Sequence, residues 1–130
     1  MKTDPIKMTF KEGFVGELSS PTSKIKIGKQ ENGIAPYNMI YGALGACFYA
    51  TFLSISDKMR LTFSGAEIEI TGTKRDQSPA TLEQVYVKLV VHNPSHEEKL
   101  KKAAQLGAQH CSIYETISKV AQMNLEIIFE

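Results

Sequence analysis

Tryptophan is absent from the 130 residues and cysteine is scarce, with only Cys47 and Cys111. They form no CxxC pair, and His92, His96 and His110 have no acidic partners at zinc-binding spacings. A disulfide-rich secreted scaffold is thereby excluded, and neither a metal nor a cofactor is expected. An excess of charge of one sign is also missing: fifteen basic residues against fourteen acidic ones leave +1, with the lysines scattered rather than striped. Nucleic acid is not an expected partner. The opening Met-Lys-Thr-Asp-Pro lacks the apolar run and small-residue cleavage site of a secretory signal, so the expected location is cytoplasmic, where thiols stay reduced. Internal repeats and low-complexity tracts are lacking too.

What is present suits one domain spanning residues 1–130, a length that buries roughly two-thirds of its unfolded surface. No charge occurs across residues 35–56, a stretch that by length alone could cross a bilayer. Pro36, Asn38, Gly42, Thr51 and Ser54 interrupt it and no basic flank precedes it, so the reading is a buried core helix and no membrane association. Its small residues, Gly42, Ala43, Gly45, Ala46 and Ala50, invite close approach by other backbones.

Alternation of polar and apolar residues predicts strands over residues 6–10, 14–18 and 23–27, with a turn at Glu31-Asn32-Gly33 and Pro36 opening the helix. Longer alternating stretches over 61–73 and 82–92 read as an antiparallel pair. Ser95 through Glu98 carries a capping-box pattern with Ser95 as N-cap, and Leu100, Ala104, Gly107 and Cys111 follow at helical spacing. A second box, Ser112 through Glu115, starts another helix with Ile113, Ile117 and Val120 inward, and residues 123–129 form a last strand. The predicted class is α+β.

The thiols carry the candidate chemistry. Cys111 precedes a helix start, where unpaired N–H groups favour a thiolate, whereas Cys47 lies about three turns into its helix with no local aid. His110 adjoins Cys111 but points about 100° away, which makes it a poor base. On these residues alone, two core cysteines and a redox pair both remain open.

Pro36 followed eleven positions later by Cys47-Phe48 in an Ala/Gly-rich helix, then a strand pair, a helix, and Cys111-Ser112-Ile113-Tyr114 before a terminal strand, resembles the OsmC/Ohr family of organic hydroperoxide resistance proteins. The resemblance implies an OsmC-like fold with a strongly curved antiparallel sheet, a central buried helix and an intertwined homodimer. It also implies that Cys47 attacks an organic hydroperoxide, that Cys111 resolves the sulfenic acid as a disulfide, and that a small dithiol or dithiol protein reduces it. The family pattern is incomplete here. Peroxidatic members hold the thiolate with an arginine from the N-terminal strands, oriented by a glutamate after the helix-starting proline, but this chain has no arginine before Arg60 and has Tyr37-Asn38 after Pro36. Arg60 is roughly 20 Å along the helix from Cys47, and Lys11, Lys24 or Lys26 lacks the two-pronged hold of a guanidinium. Ser112 stands where proline is common. A second reading is a dimeric protein binding a small apolar molecule in a pocket lined by Tyr37, Tyr41, Phe48 and Phe52; a redox sensor is a third.

Overall fold

Alternation at the N-terminus becomes an antiparallel meander of β1 (Lys7–Phe10), β2 (Val15–Ser19) and β3 (Lys24–Gly28) in the computed structural model, which describes residues 1–130. The register pairs Met8 with Leu18 and Leu18 with Ile25, so one face is apolar while Thr9, Glu17 and Lys26 share the other. Residues 1–40 pack as one compact unit and residues 41–130 as another.

Helix α1 (Pro36–Lys58) follows, then β4 (Gly65–Lys74), β5 (Leu82–His92), α2 (Glu97–His110), α3 (Ser112–Ser118) and β6 (Gln122–Phe129). The expected α+β class and element order are both present. The second sheet, β4-β5-β6, departs from the antiparallel expectation, because β6 runs parallel to β5 while β4 runs antiparallel to it. Helices α2 and α3 are the crossover that a parallel pair requires. On β5 the odd positions Val85, Val87, Leu89 and Val91 are buried and Gln84, Tyr86, Lys88, Val90 and His92 are not, an alternation that faces one side of the sheet to the core.

Helix α1 is long and apolar enough to cross a membrane by length and composition. In the chain itself it is buried along one stripe only, Leu44, Phe48, Phe52 and Ser56, at a spacing of four. Two glycines let neighbours reach that helix. A methyl group at Gly45 would stand 3.2 Å from the Ile70 side chain on β4, and one at Gly107 would stand 3.2 Å from the Phe52 backbone. Helix α2 therefore lies on α1 at near-contact, with Leu100, Ala103, Ala104, Gly107 and Ala108 as its buried stripe.

Both predicted caps move by one residue. Ser95 is tied to the strand side, its hydroxyl accepting from Thr62 N–H at 2.9 Å, so His96 caps α2 and its Nδ1 accepts from Lys99 N–H at 3.2 Å. Cys111, in an extended conformation between the helices, caps α3 in place of Ser112. Ile117 is inward as expected, whereas Val120 lies beyond the helix end and is 64% exposed.

Candidate functional site

The two sulfurs are brought together. Cys47 sits one residue before Phe48 of the buried stripe, on the flank of α1, and is half-buried. Cys111 closes α2, whose contact with α1 at Gly107 and Phe52 lies one helical turn earlier. It is fully buried, and its Sγ–H donates to Cys47 Sγ at 3.0 Å. The same Cys111 sulfur accepts from Tyr114 N–H at 3.4 Å as the cap of α3. Tyr114 packs its ring 6.4 Å from that of Phe48, which in turn stacks on Phe52, so α3 is held against α1 by an aromatic run that brackets the thiols.

The electrostatics reverse the assignment made from spacing. Burial opposes ionisation of Cys47, but hydrogen bonds from the Cys111 thiol, the Ile113 N–H, and the hydroxyl and N–H of Ser112 outweigh it and hold Cys47 below the ordinary thiol value. Cys111, the residue expected to be the more acidic, is pushed up, first by burial and then by its hydrogen bond to Cys47. Tyr114 is likewise pushed up by burial and by the nearby Cys111 charge. The two thiols are thus set apart, Cys47 giving up its proton before Cys111 does. The first turn of α3 thus lowers Cys47, distant in sequence, while its Tyr114 N–H goes to Cys111.

The remaining sequence candidates separate. Of the four aromatics expected to line an interface pocket, Phe48 and Phe52 are fully buried within the chain, and Tyr37 and Tyr41 are half-buried. A cavity of about 270 Å³ in the second unit is lined by Tyr49, Leu53, Asp57 and residues 61–65. His110 is exposed. Glu67, His92 and Glu130, from β4, the end of β5 and the residue after β6, bring donor atoms within 4.8 Å of one another and are the group that could hold a metal ion. A hydrogen bond of 2.7 Å between Glu67 Oε2 and His92 Nε2 accounts for much of that proximity. No short spacing announced this trio, since its members lie 25 and 38 residues apart, on β4, at the end of β5 and just after β6. Sequence reasoning also passed over Tyr114, and read Ser112 only as a cap.

A family model described as OsmC-like protein matches residues 28–126. Among solved structures, a hypothetical protein from Aquifex aeolicus VF5 superposes with a TM-score of 0.91 at 18% identity, covering 100% of this chain and 98% of its own. An OsmC-like protein from Mycoplasma pneumoniae superposes at 0.86, also at 18% identity, over 98% and 97%. The organic hydroperoxide resistance protein OhrB of Bacillus subtilis does so at 0.67 and 17% identity, over 97% and 98%. At these identities the superpositions establish the fold alone. Comparison with curated protein sequences returned no match.

Proposed function

The chain belongs to the OsmC-like protein family, and from that premise we propose that it is a thiol-dependent reductase of organic hydroperoxides in which Cys47 attacks and Cys111 resolves. The observation that carries this reading is the sulfur pair itself: two free thiols 3.0 Å apart, one reachable and the other fully buried. The name borne by the Bacillus subtilis structure supplies the substrate class.

The steps balance with these two residues and one external reductant. The Cys47 thiolate displaces alkoxide from the peroxide, giving a Cys47 sulfenic acid and, after protonation, the alcohol. Cys111 then attacks the sulfenic sulfur; its thiol proton and the sulfenic hydroxyl leave as water, and a Cys47 to Cys111 disulfide remains. A small dithiol or dithiol protein reduces that disulfide, restoring both thiols and becoming a disulfide itself. The raised pKa of Cys111 suits this order, because it keeps a proton on the resolving sulfur until the hydroxyl is ready to take it. The working unit is a homodimer of single-domain chains in the cytoplasm. An apolar strand face with Met8, Phe10 and Ile25 exposed supports the dimer, as does the exposed small-residue flank of α1, Gly42, Ala43, Ala46 and Ala50.

Turnover of cumene hydroperoxide with dithiothreitol tests the assignment. Cys47→Ser is expected to abolish it. Cys111→Ala is expected to form no intrachain disulfide, its Cys47 sulfenic acid passing to a mixed disulfide between chains or, with further peroxide, to an overoxidised Cys47. Full turnover by Cys47→Ser would refute the role of Cys47.

A further inference from the structure

One imidazole and two carboxylates meet on the face of the second sheet that is turned away from the core. Val91 of β5 is fully buried, so His92, the next residue, points to the opposite face. Glu67 on β4 pairs with Val90, two residues before His92, and therefore shares that face. Glu130 stands directly opposite His92: its N–H donates to the Val91 carbonyl at 2.9 Å and its carbonyl accepts from the Asn93 N–H at 2.7 Å, one bond to either side of the histidine. The His92 backbone is held from the β4 side as well, its carbonyl accepting from the Ser64 N–H at 2.9 Å.

The side chains converge to match. His92 Nε2 lies 2.7 Å from Glu67 Oε2, and one donor atom from each of the three residues falls within 4.8 Å of the other two. Around a zinc ion, with ligands at about 2.0 to 2.2 Å, tetrahedral donor atoms are about 3.3 to 3.6 Å apart. Two exposed glutamates close that difference by rotating their side chains. Room for the ion and its water is present, because Gly65 is the residue across from His92 and even a Cβ there would meet nothing within 4 Å. Lys88, a cation on the same face, is paired with Glu69 at 3.6 Å and leaves Glu67 to the histidine.

We propose that Glu67, His92 and Glu130 bind a divalent transition-metal ion of the zinc type, with water completing its shell, and so clasp the end of β6 to β4 and β5. One imidazole nitrogen with two carboxylate oxygens suits zinc, whereas calcium and magnesium favour oxygen ligands alone. Against an ionised carboxylate, which only accepts, Nε2 carries the proton; the metal takes that proton's place and the proton leaves to solvent. Helix α1, which carries Cys47, packs on the other face, where the Ile70 side chain reaches Gly45. The metal site therefore stands or falls apart from the reductase reading.

The test is a titration of the reduced protein, its histidines isotope-labelled, with zinc chloride at pH 7, the His92 ring nitrogens being followed by NMR. Zinc captured by the two sulfurs leaves His92 unmoved, since the sites lie on opposite faces of the sheet. Expected is a saturable displacement of the His92 Nε2 signal that magnesium or calcium chloride does not produce. E67Q and E130Q should each raise the zinc concentration for half-saturation about tenfold or more, at least what losing a partner behind a metal ligand costs. Both glutamates are exposed, and Glu130 is held by its backbone, so both variants should fold. A His92 signal indifferent to zinc would overturn the proposal. So would either variant titrating like the wild type, which would leave His92 as a lone surface imidazole.

Discussion

At the scale of single residues, proton placement separates two otherwise similar thiols. Cys47, held below the ordinary thiol value, becomes a thiolate as pH rises through that lowered value, while Cys111, pushed up, ionises later. At neutral pH Cys47 should therefore alkylate faster than Cys111, and the ratio should shrink as pH rises; equal rates at pH 7 would contradict the assignment. For stability the signs are opposite. The Cys47 contribution is present above its unfolded pKa and lost as pH falls through the folded one, whereas that of Cys111 is present below its unfolded pKa and lost as pH rises through the folded one. A second residue-scale expectation concerns Ser56, whose hydroxyl is fully buried in the α1 stripe without a hydrogen-bond partner. Ser56→Ala should leave stability unchanged or raise it by up to about 1 kcal/mol in urea unfolding, since it removes a desolvated group and improves helix propensity. Both reactive positions were legible as a pair from the sequence, through their two helix contexts. Which sulfur would be the more acidic was not, because spacing along the chain does not say what lies ahead of a helix's free N–H groups.

Among elements, the approach of α2 to α1 governs the sulfur separation. Gly107 lies against the Phe52 backbone, and an added methyl would stand 3.2 to 3.3 Å from three atoms there. Backbone does not swing aside as the end of a side chain does. Gly107→Ala should thus push α2 outward, lower stability by about 1 to 3 kcal/mol, as overpacking does, and slow disulfide formation between Cys47 and Cys111; an unaltered rate of thiol loss would show that this contact does not set the pair. The helices and strands themselves were largely readable, since the polar and apolar alternation of residues 82–92 marks β5 to the residue. Strand direction was less so. Alternation reports which face is buried and is silent about the partner, and only the crossover of α2 and α3 makes β6 parallel to β5. The caps moved because Ser95 was already bonded to Thr62, a contact across 33 residues.

For the whole molecule, apolar surface remains on both units of the single chain. Met8, Phe10 and Ile25 are 39 to 51% exposed on the first, and Leu53 continues the uncharged flank of α1 on the second. Surface of this kind is covered by association more often than left in water. Sedimentation at micromolar concentration should give twice the chain mass of 14.4 kDa, and Ala46→Glu, on the exposed flank of α1, should shift the protein toward monomer. A monomeric wild type would remove the dimer from the account. The α+β class was legible because element order alone specifies it, whereas the burial of α1 was overestimated from its composition, which cannot tell a surface covered by its own chain from one awaiting a copy. The central claim concerns the sulfur pair, and one experiment addresses it directly: reduced protein is given one equivalent of cumene hydroperoxide, its free thiols are counted, and its peptides are mapped by mass spectrometry. The account predicts rapid loss of both thiols into a single Cys47 to Cys111 disulfide, faster than with hydrogen peroxide. Two thiols still titratable after minutes would contradict it.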